Sequence, residues 1–323
     1  MTEQKIKERP DESLRHAASD KMPKEISFGG AALIALICVI FGGNTVAIKL
    51  CLEGFGVFAF AGFRFLIAAG VIFLWAKATG RSLKLKRKDF KPVFIVTAVF
   101  SAQFSFFVLG VSQTSASRAA LLVNLQPFCV LILAHFFIAG DRMTLRKFIG
   151  MAIGFCGVAS IFIFNDDATM DFRSGDVFVL ITALLWGCNA VYFKSFIGNR
   201  SVFVVTFYHL LFSTPFFFIM SFFFDDAMIL TITFKTAVAF FYQAVISAGF
   251  GFIVWNAMQK RYKASAVHSF LFIMPVSGVF LSAFFLKEPL SANIMAALFL
   301  IAPGILISQY QRKTAVEKPL PGH

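Results

Sequence analysis

The sequence predicts an all-α polytopic membrane protein with ten transmembrane helices in two inverted five-helix repeats. Three observations predict it. Apolar runs of about 20 residues recur along a chain of 323 residues that is 58% hydrophobic and only 15% charged, against about 25% charged in a soluble chain. Lys and Arg gather in alternate loops. The phrase "FGGNTVAIK" (Phe41 to Lys49) returns 145 positions later as "WGCNAVYFK" (Trp186 to Lys194).

The elements follow in order. Residues 1–27 carry six basic and six acidic side chains. A secretory signal would instead run from a short basic stretch directly into a short apolar one, so a polar cytoplasmic tail is expected. Spans are expected at 29–50, 57–77, 91–111, 117–139, 146–164, 176–196, 202–224, 234–257, 264–286 and 290–309. Each is long enough to cross a hydrocarbon core of about 30 Å at 1.5 Å per residue. Short alternating strands, the mark of a membrane barrel, are not what these runs show. Residues 310–323 form a second polar tail.

Orientation comes from the loops. If the N-terminus is cytoplasmic, "KATGRSLKLKRKDFK", "DRMTLRK", "KSFIGNR", "KRYK" and both tails lie on the cytoplasmic side. Only Lys49, Arg173, Lys235 and Lys287 fall opposite, and Arg64 and Arg118 fall within spans. The acids "NDDATMDFRSGD" and "FDDA" take the outer loops. The positive-inside rule therefore places both termini in the cytoplasm. A net charge of +13 invites a nucleic-acid reading, but the basic residues form no single patch, so no nucleic-acid partner is expected. The partners expected are the bilayer of a cytoplasmic or plasma membrane and a small-molecule solute, with a homodimer compatible.

The repeat has further matches. "SAQFSFFV" (Ser101 to Val108) returns as "SAGFGFIV" (Ser247 to Val254), and "ASRAALLVNLQP" (Ala116 to Pro127) as "ASAVHSFLFIMP" (Ala264 to Pro275). Asp141 falls opposite Glu288, and Gly150 and Gly157 opposite Ala297 and Gly304. Two copies of an odd number of helices enter the membrane from opposite sides. Such inverted repeats belong to carriers that work by alternating access. The domains expected are residues 28–164 and 173–309.

With these motifs in view, the chain resembles the EamA-type branch of the drug/metabolite transporter superfamily. The resemblance spans about residues 28–309 and rests on the doubled Asn motif, the early Arg of the second helix, the "AS…P…(D/E)" pattern and G-x6-G. It implies ten helices and the movement of small metabolites, often amino acids, usually outward. Asp141 stands where that family usually has Glu, and Arg118 is a charge where small residues are common.

Polar residues inside apolar spans are the candidate solute contacts. They are Asn44, Arg64, Gln103, Arg118, Asn124, Trp186, Asn189, Tyr208, His209, Asn256 and His268. Each also has a structural reading. An intramembrane Asn can tie two helices by a hydrogen bond, and Arg64, whose repeat partner is His209, can satisfy helix-end carbonyls. Gly42 and Gly43, which allow close helix approach, and Pro127 and Pro275, near mid-span, are candidate hinges because a mid-helix proline kinks its helix. No acidic residue is expected at mid-membrane. That argues against a carboxylate proton relay for lipophilic cations and tilts the solute toward zwitterions, anions or neutral metabolites.

The function expected is a secondary transporter exporting amino acids or related zwitterionic or neutral solutes. The alternative is an exchanger of sugar-phosphate or nucleotide-sugar-like anions, which requires two cationic side chains converging on one cavity. A membrane-embedded enzyme or a channel fits less well, since no HExxH, GxSxG or intramembrane acid pair is present. No catalytic residue, metal or cofactor is expected. The five cysteines form no CxxC pair and read as small apolar packing residues.

Overall fold

The computed structural model describes residues 26–137, 143–163, 173–197, 200–262, 267 and 269–309. Asp141 and His268, and the side chain of Lys194, lie outside the described residues.

The described residues form helices with short connections, and the only extended pairing among them is one bridge, Phe55 to Ile229. In chain order they are α1 (Phe28–Gly42), α2 (Asn44–Cys51), α3 (Val57–Ala78), α4 (Arg87–Gln113), α5 (Ala116–Val123), α6 (Gln126–Phe137), α7 (Leu145–Ile163), α8 (Ser174–Ile197), α9 (Val202–Phe224) and α10 (Phe234–Phe241). A π-helical segment follows (Tyr242–Gly251), then α11 (Phe252–Arg261), a 3-10 turn (Ser269–Phe272), α12 (Ile273–Leu286) and α13 (Ala292–Gln309).

Seven helices among the described residues are long and apolar enough to cross a membrane: Phe28–Cys51, Val57–Ala78, Arg87–Gln113, Ala116–Phe137, Ser174–Phe193, Val202–Phe224 and Phe234–Met258. Phe270–Leu286 and Ala292–Ser308 are shorter apolar helices. The exterior is apolar as well as the core. Phe136, Phe222, Phe284 and Phe299 are each at least 70% exposed, a surface suited to lipid rather than water. This is a multi-pass membrane protein.

Three irregularities interrupt the helices. The first helix breaks at Gly43. Tyr242 Oη donates to the Ile40 carbonyl, whose regular acceptor role would be toward residue 44. A side chain inserted into the ladder is one of the few causes of a helix break. Gly43 leaves room for it, since a Cβ there would lie 2.7 Å from Tyr242 Oη.

The second break separates α5 from α6. Asn124 Nδ2 donates to the Ala120 carbonyl at 2.6 Å, and Leu125 and Phe128 turn to three-residue bonds. Pro127 follows this break directly, near the middle of the Ala116–Phe137 span, so that span is interrupted where the sequence placed a proline bend. Pro275 lies in the first turn of α12, just after the 3-10 turn in the Phe270–Leu286 helix. Pro92, Pro215 and Pro303 lie deeper inside their helices.

The third irregularity is the π segment. Its five-residue bonding widens the turn, a feature often found at functional sites.

Close helix contacts come from glycine. α7 and α13 cross at Gly150 and Gly304, where a Cβ on either would lie within 2.7 Å of the other's carbonyl. Two cysteines depart from the packing expectation: Cys38 and Cys51 are buried, but Cys156 and Cys188 are exposed.

Contacts also define the two ends of the bundle. At one end Asp176, Glu288, Asp225 and the Lys235–Glu53 pair tie α2, α3, α5, α8, α9, α10 and α12 together. At the other, Arg200 pairs with Asp89 at 2.8 Å, and Ser27 Oγ meets Tyr262 Oη at 3.3 Å.

Candidate functional site

The break in the first helix and the π segment meet, and their polar groups form one network. Asn44 Oδ1 accepts from Ser247 Oγ at 2.7 Å, and the Asn44 carbonyl accepts from Gln243 Nε2 at 2.9 Å. Arg64 enters from α3. Its Nε donates to the Gln243 carbonyl at 3.2 Å and its Nη2 to Ser247 Oγ at 3.5 Å. The wider π turn presents that carbonyl to a side chain. The guanidinium also lies over the Phe104 ring, 4.8 Å from its centroid, a favourable cation–π position.

Arg64 is only 1% exposed. Among the described residues it forms no ion pair with a carboxylate. Its Nη1 has no partner, nor do Gln243 Oε1 and Thr45 Oγ1, all buried. Removing a charge from water without a counter-charge costs several kcal/mol. Carbonyl, hydroxyl and ring contacts offset part of that cost here.

The other intramembrane arginine is different. Arg118 Nη2 meets Asp176 Oδ2 at 2.6 Å and its Nε meets Oδ1 at 3.3 Å. Asp176 is fully buried and also accepts from Thr114 Oγ1 and the Arg173 N–H. The charge of Arg118 is thus balanced within the protein. Beside it, Glu288 takes the N–H groups of Ala116 and Ser117 at 2.8 and 2.9 Å, and Ser117 Oγ at 2.7 Å. A carboxylate at a helix N-terminus satisfies free donors and complements the helix dipole. Asp225 does the same for α3 through the N–H groups of Phe58 and Ala59.

The remaining candidates do not join the Arg64 network. Gln103 is buried, its Oε1 without a partner, and its backbone carbonyl accepts from Thr182 Oγ1 at 3.4 Å. Asn124 is spent at its own helix break, with Oδ1 unpartnered. Asn256 Nδ2 ties α11 to α9 through Thr206 Oγ1 at 3.2 Å. Tyr208 sits in an apolar cluster with Val93, Val96 and Val205. Trp186 is half-buried on α8. Lys49 donates to the Ser112 carbonyl at 3.5 Å rather than only reaching for headgroups. Gly42 is a contact point, since a Cβ there would meet Ser277 Oγ at 1.9 Å.

His209, the repeat partner of Arg64, lies on Phe100 with ring centroids 4.1 Å apart. Asn189, the partner of Asn44, has a buried Oδ1 with no hydrogen bond. Ser101, the partner of Ser247, is joined to Ser213 Oγ at 3.2 Å. Asn and Ser therefore occur at both repeat-related positions, bonded across the two halves as Asn44 and Ser247 but with the Asn189 oxygen unpartnered and Ser101 joined to Ser213.

Sequence reading missed Thr45, Tyr242, Gln243, Ser247 and Asp176. Ser247 had a signal, as the match to Ser101 in the repeated phrase, and Gln243 had one as an amide in an apolar run. An apolar groove of about 270 Å³ near Phe55, Ile229 and Phe240 touches none of these residues.

Known proteins bear on this arrangement. The EamA-like transporter family model matches residues 28–163 and 173–310. The chain is 24% identical to the uncharacterized transporter YoaV of Bacillus subtilis (strain 168), covering 86% of this chain and 95% of that one. It is also 24% identical to the probable amino-acid metabolite efflux pump of Escherichia coli (strain K12), covering 86% and 94%. A solved crystal structure superposes with a TM-score of 0.67 at 17% identity, over 87% of this chain and 96% of its own, a likeness of fold. Transporter relatives and the family match make the protein a transporter rather than an enzyme, and the chain belongs to the EamA-like transporter family.

Proposed function

We propose that the protein exports small zwitterionic or neutral metabolites, amino acids among them, across the cytoplasmic or plasma membrane. It works by alternating access of two inverted five-helix halves, residues 28–164 and 173–309, with tails 1–27 and 310–323 in the cytoplasm. The observation that carries the reading is the pair of matched networks in unequal states. Asn44 Oδ1 holds Ser247 Oγ at 2.7 Å, while Asn189 Oδ1 is unpartnered and Ser101 Oγ donates to Ser213 Oγ. Two copies of one unit in different states are what alternating access requires. Matched contacts support the repeat: Gly42 lies against Ser277 and Gly187 against Cys129, and Gly42 and Gly187, like Ser277 and Cys129, stand about one repeat apart in the chain.

Amino-acid export is favoured by two relatives named as probable amino-acid metabolite efflux pumps. Exchange of phosphorylated anions is disfavoured by Arg118, whose charge Asp176 already balances. Of the two intramembrane arginines that leaves Arg64 for an anionic group, where that alternative requires two converging cations.

The test is counterflow in liposomes containing the purified protein, with a pool of labelled neutral amino acids. Saturable exchange is expected without an imposed ion gradient. No exchange by folded protein, together with exchange of sugar phosphates, would overturn the reading.

A further inference from the structure

Resting on that carrier reading, we propose that Arg64, Gln243 and Thr45 form the head-group site for the solute, which carries a free carboxylate beside a hydrogen-bond donor. An α-amino acid is the simplest such species.

Three buried atoms without partners carry the argument: Arg64 Nη1, Gln243 Oε1 and Thr45 Oγ1. The residues are held together. Gln243 bonds both Arg64 and Asn44, and Thr45 follows Asn44 in the chain. Their chemistry is complementary to one head group. A guanidinium N–H takes a carboxylate oxygen in a charge-assisted bond. An amide oxygen takes an ammonium N–H. A hydroxyl serves either.

A structural role alone would predict a completed site. The other buried arginine of the membrane region, Arg118, is completed in that way, with both carboxylate oxygens of Asp176 and further donors on the same acid. Arg64 is equally buried yet lacks a carboxylate among the described residues. Buried polar groups are normally satisfied, and specific exceptions call for a reason. A carrier supplies one, because its site is complete only when solute is present. The Asn44–Ser247 bond crosses between the broken first helix and the π segment, so parting these two elements is the route by which a solute reaches Arg64.

Two readouts separate this proposal from the carrier reading. One is thermal stabilisation of the detergent-purified protein by neutral amino acids, by their amides and by the corresponding decarboxylated amines. The other is counterflow of the same compounds. Stabilisation by the acids and not by the amides or amines, lost in Arg64→Met, is expected. Thr45→Val and Gln243→Leu should each raise the half-saturating concentration tenfold or more. If Arg64→Met does not fold, these two variants decide the matter. Counterflow of amides or amines equal to that of the acids would overturn the site and leave the carrier standing. Acid-specific stabilisation without counterflow would keep the site and overturn carriage. Unchanged half-saturation in a folded Arg64→Met, or in both other variants, would also overturn the site.

Discussion

Arg118 and Asp176 form a two-point ion pair, 2.6 Å between Nη2 and Oδ2 and 3.3 Å between Nε and Oδ1, with Asp176 wholly inside the protein. The pair joins the start of α5 to the start of α8, which are 58 positions apart in the chain. It pairs within the protein a cation that the sequence offered as a solute contact.

Breaking one side of such a pair leaves an uncompensated buried charge, at a cost of about 3–5 kcal/mol. Asp176→Ala should therefore lower the melting temperature sharply, measured by thermal unfolding in detergent. The double variant Arg118→Met with Asp176→Leu should recover most of that loss, because an apolar pair of similar size is often neutral or better. A double variant as unstable as the single would show that Thr114 and Arg173, not the charge pair, hold this end.

Glu288 is reached through Lys287, whose φ of 54° is the left-handed value that ends α12. Lys287→Gly should be tolerated or mildly stabilising, since relief of the roughly 1–2 kcal/mol of left-handed strain outweighs the roughly 0.5–1 kcal/mol that glycine costs in unfolded-chain entropy. Glu288→Ala should instead cost about 0.5–2 kcal/mol by freeing the N–H groups of Ala116 and Ser117. Hydrogen exchange at these two amides is the check, and protection should fall there first.

The crossing of α7 and α13 leaves no room for a side chain. A Cβ on Gly304 would lie 2.7 Å from the Gly150 carbonyl and 2.8 Å from the Gly154 nitrogen. Close backbone approach of this kind drives helix association where lipid removes the hydrophobic incentive. Gly304→Val should cost at least the roughly 1–3 kcal/mol of overpacking, seen as a lower yield of monodisperse protein. Gly70→Ala, where a Cβ meets nothing within 4 Å, is the matched control and should leave yield unchanged.

The contrast between these sites shows what a sequence exposes. Apolar runs are forced on any helix in lipid, because every backbone group must be satisfied within the segment, so the helices are written locally. Asn44 and Arg64 are legible for the same reason, as polar residues that lipid does not tolerate. The breaks are less so. Gly43 is a weak signal alone, and its meaning depends on Tyr242, which arrives from almost 200 residues away. The π segment "YQAVISAGFG" reads as an ordinary apolar run, and its carbonyl partner Arg64 is far off in sequence. Asp176 looks like one more loop acid until the fold buries it against Arg118. Pro127 is the local signal of its break, and Asn124 supplies the bond beside it.

The two asparagines give the most direct test of the two-state reading. Asn44 has a donor on its side-chain oxygen and a second on its carbonyl; the side-chain oxygen of Asn189 has none. Asn44→Ala removes one buried hydrogen bond and leaves Ser247 seeking a partner, so it should cost about 1–2 kcal/mol of stability. Asn189→Ala removes no bond made by that oxygen, and should melt within about 0.5 kcal/mol of the parent. If the networks exchange roles during transport, Asn189 gains its partner in the other state. Its removal should then slow counterflow severalfold while leaving stability alone. Matched melting curves and exchange rates for the two variants decide the point. Equal effects of both substitutions on stability, or normal exchange in a well-folded Asn189→Ala, would mean that the second asparagine is not part of a switching pair.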